Sequence, residues 1–278
     1  MDKCFILCAF ALALVSSSCA KTERPVKPVK VTFNVRGLDV NVEPMTKSTF
    51  ASDGLTKIQY AIFNSSTTKT GTQVSTDTGF GVIELWLSPG TYTAYFAATT
   101  DTDKGMVLDN ASSSSADYYI AENNADVFFA GKTLTIAAST NEYNFELSRL
   151  AGQLVIDLTD DNVPDEIAKA TANFPNASHY NIKKSTATAS QMKSCDIPIN
   201  GGAFDDMSQF LFPAASQSVT ISLLDENGGV LGSTSVNYDI IKNKRTIIRG
   251  DILDIVTQKG LSVTYNDTWD DDNVVTLN

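Results

Sequence analysis

The sequence predicts an all-β protein, two tandem β-sandwich domains behind a secretory leader. Apolar residues alternate with polar ones at a period of two along most of the chain, and clusters of Asn, Asp, Ser, Pro and Gly divide the alternating runs. Helix-like starts are brief, the clearest being Pro164-Asp165-Glu166-Ile167. Many short strands with recurrent turn signals are the pattern of packed β-sheets.

Met1 to Lys3 carry one Lys, Cys4 to Val15 form an unbroken apolar run, and Ser16, Ser17 and Ser18 lead into Cys19. The run is shorter than the roughly 20 residues that span a bilayer, and the small residues behind it suit a signal peptidase. Residues 1–18 are therefore expected to be a lipoprotein signal peptide, with Cys19 as the lipidated amino terminus; the alternative is an ordinary cleavage nearby with Cys19 incidental. An acyl chain contributes about 0.8 kcal/mol of membrane binding per buried CH₂. Of the four cysteines, Cys4 and Cys8 lie in the leader and Cys195 is left without a partner, so no intrachain disulfide is expected. The formal charge is −11 and the basic residues are scattered, which argues against nucleic-acid binding and against electrostatic attachment to an anionic membrane.

Residues 19–28 read as a tether, extended by Pro25 and Pro28. The first strand follows, with Val29, Val31, Phe33 and Val35 on one face. After Gly37 the apolar positions become Leu38, Val40 and Val42, a parity change that a bulge or a crossing between sheets would produce. Leu55 to Phe63 is a strand closed by Asn64-Ser65-Ser66. Ile83, Leu85 and Leu87 lead through Ser88-Pro89-Gly90 into Tyr92, Ala94, Phe96 and Ala98, which predicts a core hairpin. Thr99 to Ala116 reads as a long surface loop, and strands are expected at Val127–Phe129, Leu134–Ile136 and Tyr143–Leu147. Across Ala151-Gly152 the parity changes again, to Leu154, Ile156 and Leu158, so the domains are set at residues 29–149 and 150–278. In the second, strands are expected around Ala170–Phe174, Val219–Leu223, Val236–Ile240, Thr246–Ile248, Ile252–Val256 and Leu261–Tyr265, with a turn at Asp225–Gly229.

Catalytic chemistry finds little support. His179, the one histidine, has no ligand-spaced partner and reads as a surface-loop residue; there is no Gly-x-Ser-x-Gly elbow. The acidic clusters at Asp101 and Asp103, at Asp157, Asp160 and Asp161, and at Asp267 and Asp270–Asp272 lack the full calcium-loop spacing and read as solvated loops. No enzyme activity, metal or cofactor is expected. Trp269, beside the last cluster, is the candidate glycan contact, against the alternative that it is core. Asn64, Asn110, Asn176 and Asn266 head Asn-x-Ser/Thr triplets, which suggests exposed segments.

Several segments follow one another in a fixed order: the Cys19 leader, Val31-Thr32-Phe33-Asn34-Val35, Glu43-Pro44-Met45-Thr46-Lys47-Ser48, Ile58–Phe63, Leu87–Tyr92, Asp126–Ala130, Arg149-Leu150-Ala151-Gly152-Gln153-Leu154 and Asn243–Gly250. By these segments, in their order and spacing, the mature chain resembles the fimbrillin-like subunits of type V pili, including their lipoprotein anchor subunits. The resemblance implies transthyretin-like sandwiches, export as an outer-membrane lipoprotein, and assembly with other fimbrial subunits by β-strand exchange in adhesion to host or bacterial surfaces. In stalk members a protease removes the first strand. Arg36 and Lys47 are the candidate sites of such maturation here, and Lys47-Ser48 stands where the family often has Arg before a small residue. An unprocessed, lipid-retaining chain would be an anchor or accessory subunit. The competing class is a surface glycan-binding lipoprotein without a pilus role.

Overall fold

The computed structural model describes residues 27–37, 54–101, 106–110, 118–122, 125–138, 141–160, 162–257 and 261–266. In chain order the strands of the first half are β1 (Val29–Gly37), β2 (Lys57–Phe63), β3 (Thr68–Val74), β4 (Val82–Leu87), β5 (Gly90–Thr99), β6 (Met106–Asn110), β7 (Tyr118–Glu122), β8 (Val127–Ile136) and β9 (Glu142–Arg149). Then come β10 (Gly152–Leu158), β11 (Lys169–Asn181), β12 (Thr186–Ile197), β13 (Ile199–Asn200), β14 (Ala203–Phe204) and β15 (Met207–Leu211). The chain continues with β16 (Ala214–Leu224), β17 (Val230–Ile240), β18 (Arg245–Gly250), α1 (Ile252–Thr257) and β19 (Ser262–Asn266). The all-β prediction is met.

Seven strands of the first half run in the order β3-β2-β5-β8-β9-β1-β4. The β8–β9 ladder holds only at Phe128↔Arg149 and Phe129↔Ser148, so the sheet folds there into two layers, β3-β2-β5-β8 and β9-β1-β4. Period-two alternation aims one face of each layer inward, and Val31, Phe33, Ile58, Ile62, Ile83, Phe96, Phe145 and Leu147 meet in a closed core. Phe96 and Phe145 lie with ring centroids 4.5 Å apart, and Phe33 stands 5.8 Å from Phe96. The second half repeats the plan. Sheet β15-β10-β18-β19 faces a sheet ordered β17-β16-β11-β7-β6, with β12 on β11, around Leu154, Ile156, Phe174, Val219, Ile221 and Ile248. The first strand of each half occupies the same kind of place: β1 lies between parallel β9 and antiparallel β4, and β10 between parallel β18 and antiparallel β15.

Several expectations are corrected. Ser88-Pro89-Gly90 does not close a hairpin: β4 pairs with β1, while β5 pairs with β2 and β8, so the turn carries the chain from one layer to the other. Both strands are core nonetheless, with Ile83, Leu87, Tyr92 and Phe96 buried. The supposed loop from Thr99 to Ala116 contains β6, and Val127–Phe129 and Leu134–Ile136 belong to one strand, β8. Pro164–Ile167 is a turn closed by Ile167 N–H donating to the Pro164 carbonyl at 2.9 Å, not a helix start.

Ile252–Val256 is helical rather than extended. An Asp251 carboxylate oxygen accepts the Asp254 N–H at 2.8 Å and an Asp160 oxygen accepts the Ile252 N–H at 2.7 Å, which satisfies donors of the first turn. The helix then buries Ile255. The long, polar β12 has no clear alternation and escaped the sequence reading; it is held by β11 through eleven paired positions.

Strand pairing also crosses position 149/150. The β6–β7 pair adds to β11 through His179↔Ala121, Tyr180↔Ile120 and Asn181↔Tyr119. Ala97, Ile120, Ala125 and Val127 pack with Leu150, Tyr180 and Phe212 in a third buried apolar cluster. Beside it Arg149 Nε donates to both oxygens of Asp126 at 2.9 and 3.0 Å, with the two side chains 14% and 6% exposed. At Gly152 the chain passes so close to Ile241 that a Cβ would stand 2.5 Å from that residue's carbonyl oxygen.

Candidate functional site

The site centres on β1. Odd-numbered Val31, Phe33 and Val35 point inward at 0%, 0% and 2% exposure, and even-numbered Lys30, Thr32, Asn34 and Arg36 occupy the opposite face. Both edges of β1 are in use. It pairs with β4 from Val29↔Leu87 to Asn34↔Val82, and with β9 from Thr32↔Glu142 to Gly37↔Leu147. β4 and β9 do not pair with each other, so β1 fills a slot two strand spacings wide, about 9.6 Å.

Polar side chains lock the outward face. Lys30 Nζ meets Glu84 Oε1 at 2.8 Å, Asn34 Nδ2 donates to Glu142 Oε1 at 2.8 Å and to Asn144 Oδ1 at 3.0 Å, and Arg36 pairs with Glu146. Trp86, facing Lys30 across the ladder, is 66% exposed on this face. Sequence reasoning missed it. The signal was present: Ile83, Leu85 and Leu87 inward leaves position 86 outward.

Of the residues singled out from sequence, Arg36 stands exposed near the end of β1. Cys19, Lys47 and Trp269 lie outside the described residues, as do Asp103, Asp161 and the acids after Asn266. His179 is not in a loop; it is a half-buried residue of β11 whose Nδ1 lies 2.7 Å from Ser178 Oγ. Asn176 likewise sits half-buried in β11, not in an exposed segment. Asp157 is not merely solvated: Arg249 Nε donates to its Oδ2 at 2.6 Å. Cys195 is a free, half-buried thiol at the edge of the second core, and burial pushes its pKa up, away from thiolate reactivity. Among the described residues no three His, Cys, Asp or Glu side chains gather as a metal site, and no helix is long and apolar enough to cross a membrane.

No protein-family model and no curated protein matches the sequence. Solved structures match the fold. A Bacteroides thetaiotaomicron protein described as a proposed polysaccharide-binding protein superposes with a TM-score of 0.56 at 7% identity, covering 86% of this chain and 96% of that one. A proposed adhesin of the same species superposes with a TM-score of 0.53 at 10% identity, over 88% of this chain and 98% of that one. The chain shares the fold of these two proteins. That fold agrees with the resemblance to fimbrillin-like subunits, and neither of these neighbours is described as an enzyme. The fimbrial anchor protein Mfa2 of Porphyromonas gingivalis is a looser match, with a TM-score of 0.46 at 10% identity over 80% of this chain and 90% of that one.

Proposed function

We propose that the chain is a non-enzymatic subunit of a fimbrial adhesive assembly at the cell surface, held in the outer membrane by lipid on Cys19, with β1 as the strand through which it is built or closed. The observation that carries this reading is the placement of β1. The first strand of the described chain is inserted between two strands that do not pair with each other, so the body surrounds a slot for one extended segment. Such a slot suits strand exchange, in which main-chain hydrogen bonds supply affinity and the pockets of alternate side chains supply register. The Phe33 pocket, walled by Phe96, Tyr143 and Phe145, would set that register.

A chain that keeps β1 has its own slot filled and stays joined to the tether, which is the behaviour of an anchor or accessory subunit. A chain cut after Arg36 or Lys47 would release β1 and behave as a stalk or tip subunit. Mass spectrometry of the amino terminus on native membranes tests the difference: an acylated Cys19 on an uncut chain is expected. A free terminus at Gly37 or Ser48 would replace the anchor with a polymerising subunit.

The strand-exchange step has its own test. A chain beginning at Leu38 should be poorly soluble alone and should be rescued by a synthetic Val29–Gly37 peptide, and a peptide carrying Phe33→Ala should bind on the order of a hundredfold more weakly, the equivalent of about 3 kcal/mol. A truncated chain that stays folded and ignores the peptide would end the reading. The second reading, a surface glycan-binding lipoprotein, is supported by the description of the Bacteroides thetaiotaomicron neighbour as a proposed polysaccharide-binding protein and by the exposed indole of Trp86.

A further inference from the structure

We propose that the outward face of β4, β1 and β9 is a platform for a neutral oligosaccharide, with the Trp86 indole as its stacking surface and the Asn34–Glu142–Asn144 cluster as its polar end. The proposal rests on the glycan-binding reading and on β1 staying in its place between β4 and β9.

The first argument is the isolation of Trp86. At 66% exposure it leaves most of a large apolar ring in water, and across the ladder it faces Lys30, which is paired with Glu84 two positions along β4. Among the described residues the apolar side chains as exposed as Trp86, Met192 and Val230, lie on β12 and β17 of the second half, and the less exposed Val74 and Val107 of the first half lie on β3 and β6, which do not adjoin β4, β1 or β9. A protein-docking face would gather apolar residues into a desolvated centre. A lone aromatic ring amid hydrogen-bonding groups instead suits a ligand with one apolar face and a polar rim. A pyranose offers its axial C–H face to the indole and its equatorial hydroxyls to the side.

The second argument is charge. Lys30 is paired with Glu84 and Arg36 with Glu146, so the cations on this face are already matched by carboxylates. Among the described residues of β4, β1 and β9 no outward cation is without a carboxylate partner, so a neutral ligand fits better than an anionic one.

The third argument is order. Asn34, a residue 9% exposed, gives both donors of its side-chain amide to Glu142 and Asn144, and thereby sets the acceptor atoms of those exposed side chains before any ligand arrives. Groups fixed in advance lose little freedom on binding. Trp86 lies opposite Lys30, four residues along β1 from Asn34, which at about 3.3 Å per residue is roughly 13 Å. That span calls for more than one sugar ring.

The sequence holds two tryptophans, so fluorescence separates the readings. The full chain purified in detergent, carrying Trp269→Phe, is titrated with neutral glucan, mannan and galactan oligosaccharides of two to six residues. The Trp86 emission should shift to the blue and saturate, with little change when the salt is raised tenfold. Trp86→Ala, a change at an exposed position, should weaken binding at least tenfold with the melting temperature unchanged, and Asn34→Ala should weaken it severalfold. If the Trp269→Phe chain binds and Trp86→Ala binds equally well, the platform is wrong and glycan binding survives elsewhere. If only Trp269 variants lose binding, the site is the carboxy-terminal one. If no variant binds any oligosaccharide, both the platform and the glycan-binding reading fall. Self-association that Trp86→Ala abolishes, without sugar binding, would also overturn the platform and assign the face to a second copy.

Discussion

Tyr238 shows how little a single side chain reveals before its surroundings are known. It belongs to the alternating run Val236, Tyr238, Ile240 and is 2% exposed, but its hydroxyl has no hydrogen-bond partner among the described residues. Burial pushes the phenol far above its ordinary value near 10. The folded state therefore holds the proton after the unfolded chain has released it. The associated stability is complete below about pH 10 and falls as the pH rises beyond that toward the folded-state value. Tyr238→Phe deletes an unpaired buried hydroxyl, so stability at pH 7 should be equal or higher by about 1 kcal/mol. In melts taken from pH 9 to pH 11 the variant should also lose less stability than the parent; an equal or steeper fall would contradict this account. Asp126 and Arg149 make the opposite case. The two form a bidentate pair in a nearly dry setting, and Asp126→Ala, which takes the carboxylate from the guanidinium, should cost about 3–5 kcal/mol in urea denaturation.

At the scale of elements, β1 carries both the fold and the proposed assembly. Phe33 is fully buried among three aromatic rings, and Phe33→Ala in the intact chain should cost about 3–5 kcal/mol by chemical denaturation. The passage into β10 depends on a missing side chain. A Cβ at Gly152 would meet the Ile241 carbonyl oxygen at 2.5 Å and Ile240 Cγ2 at 2.7 Å, and backbone cannot swing away as a side chain can. Gly152→Ala should lower the melting temperature by several degrees, the effect of about 1–2 kcal/mol in a chain of this size; an unchanged melt would mean that the crossing relaxes freely. The parity change at this point was legible in the sequence because inward residues switch from odd Phe145 and Leu147 to even Leu154 and Ile156. The helix at Ile252–Thr257 was not, because a short apolar run bounded by polar residues fits either period. Asp160, distant in sequence, supplies one of the contacts that decide it.

For the whole molecule, the question is how firmly the two halves are joined. Loosely joined domains unfold separately. Here the β6–β7 pair extends the sheet of the second half, and the third apolar cluster draws on both. One calorimetric transition is expected. A fragment of residues 150–278 should aggregate, because Leu150, Tyr180 and Phe212 lose their cover and the β7-facing edge of β11 is opened. Two well-separated transitions would show that the junction is weak.

By itself the sequence determined the class of fold, most of the strands and their inward faces, since the two-residue period states which side chains leave water without reference to any partner. It also showed that no familiar catalytic constellation is spelled out in the chain. Only the tertiary structure decided which strands are neighbours. Alternation is the same whether β4 pairs with β5 or with β1, and the choice is made by which apolar faces close the core together. The same is true of the candidate platform. Trp86, Asn34 and Glu142 lie on three strands far apart in the chain, and become one surface only because β1 enters between β4 and β9.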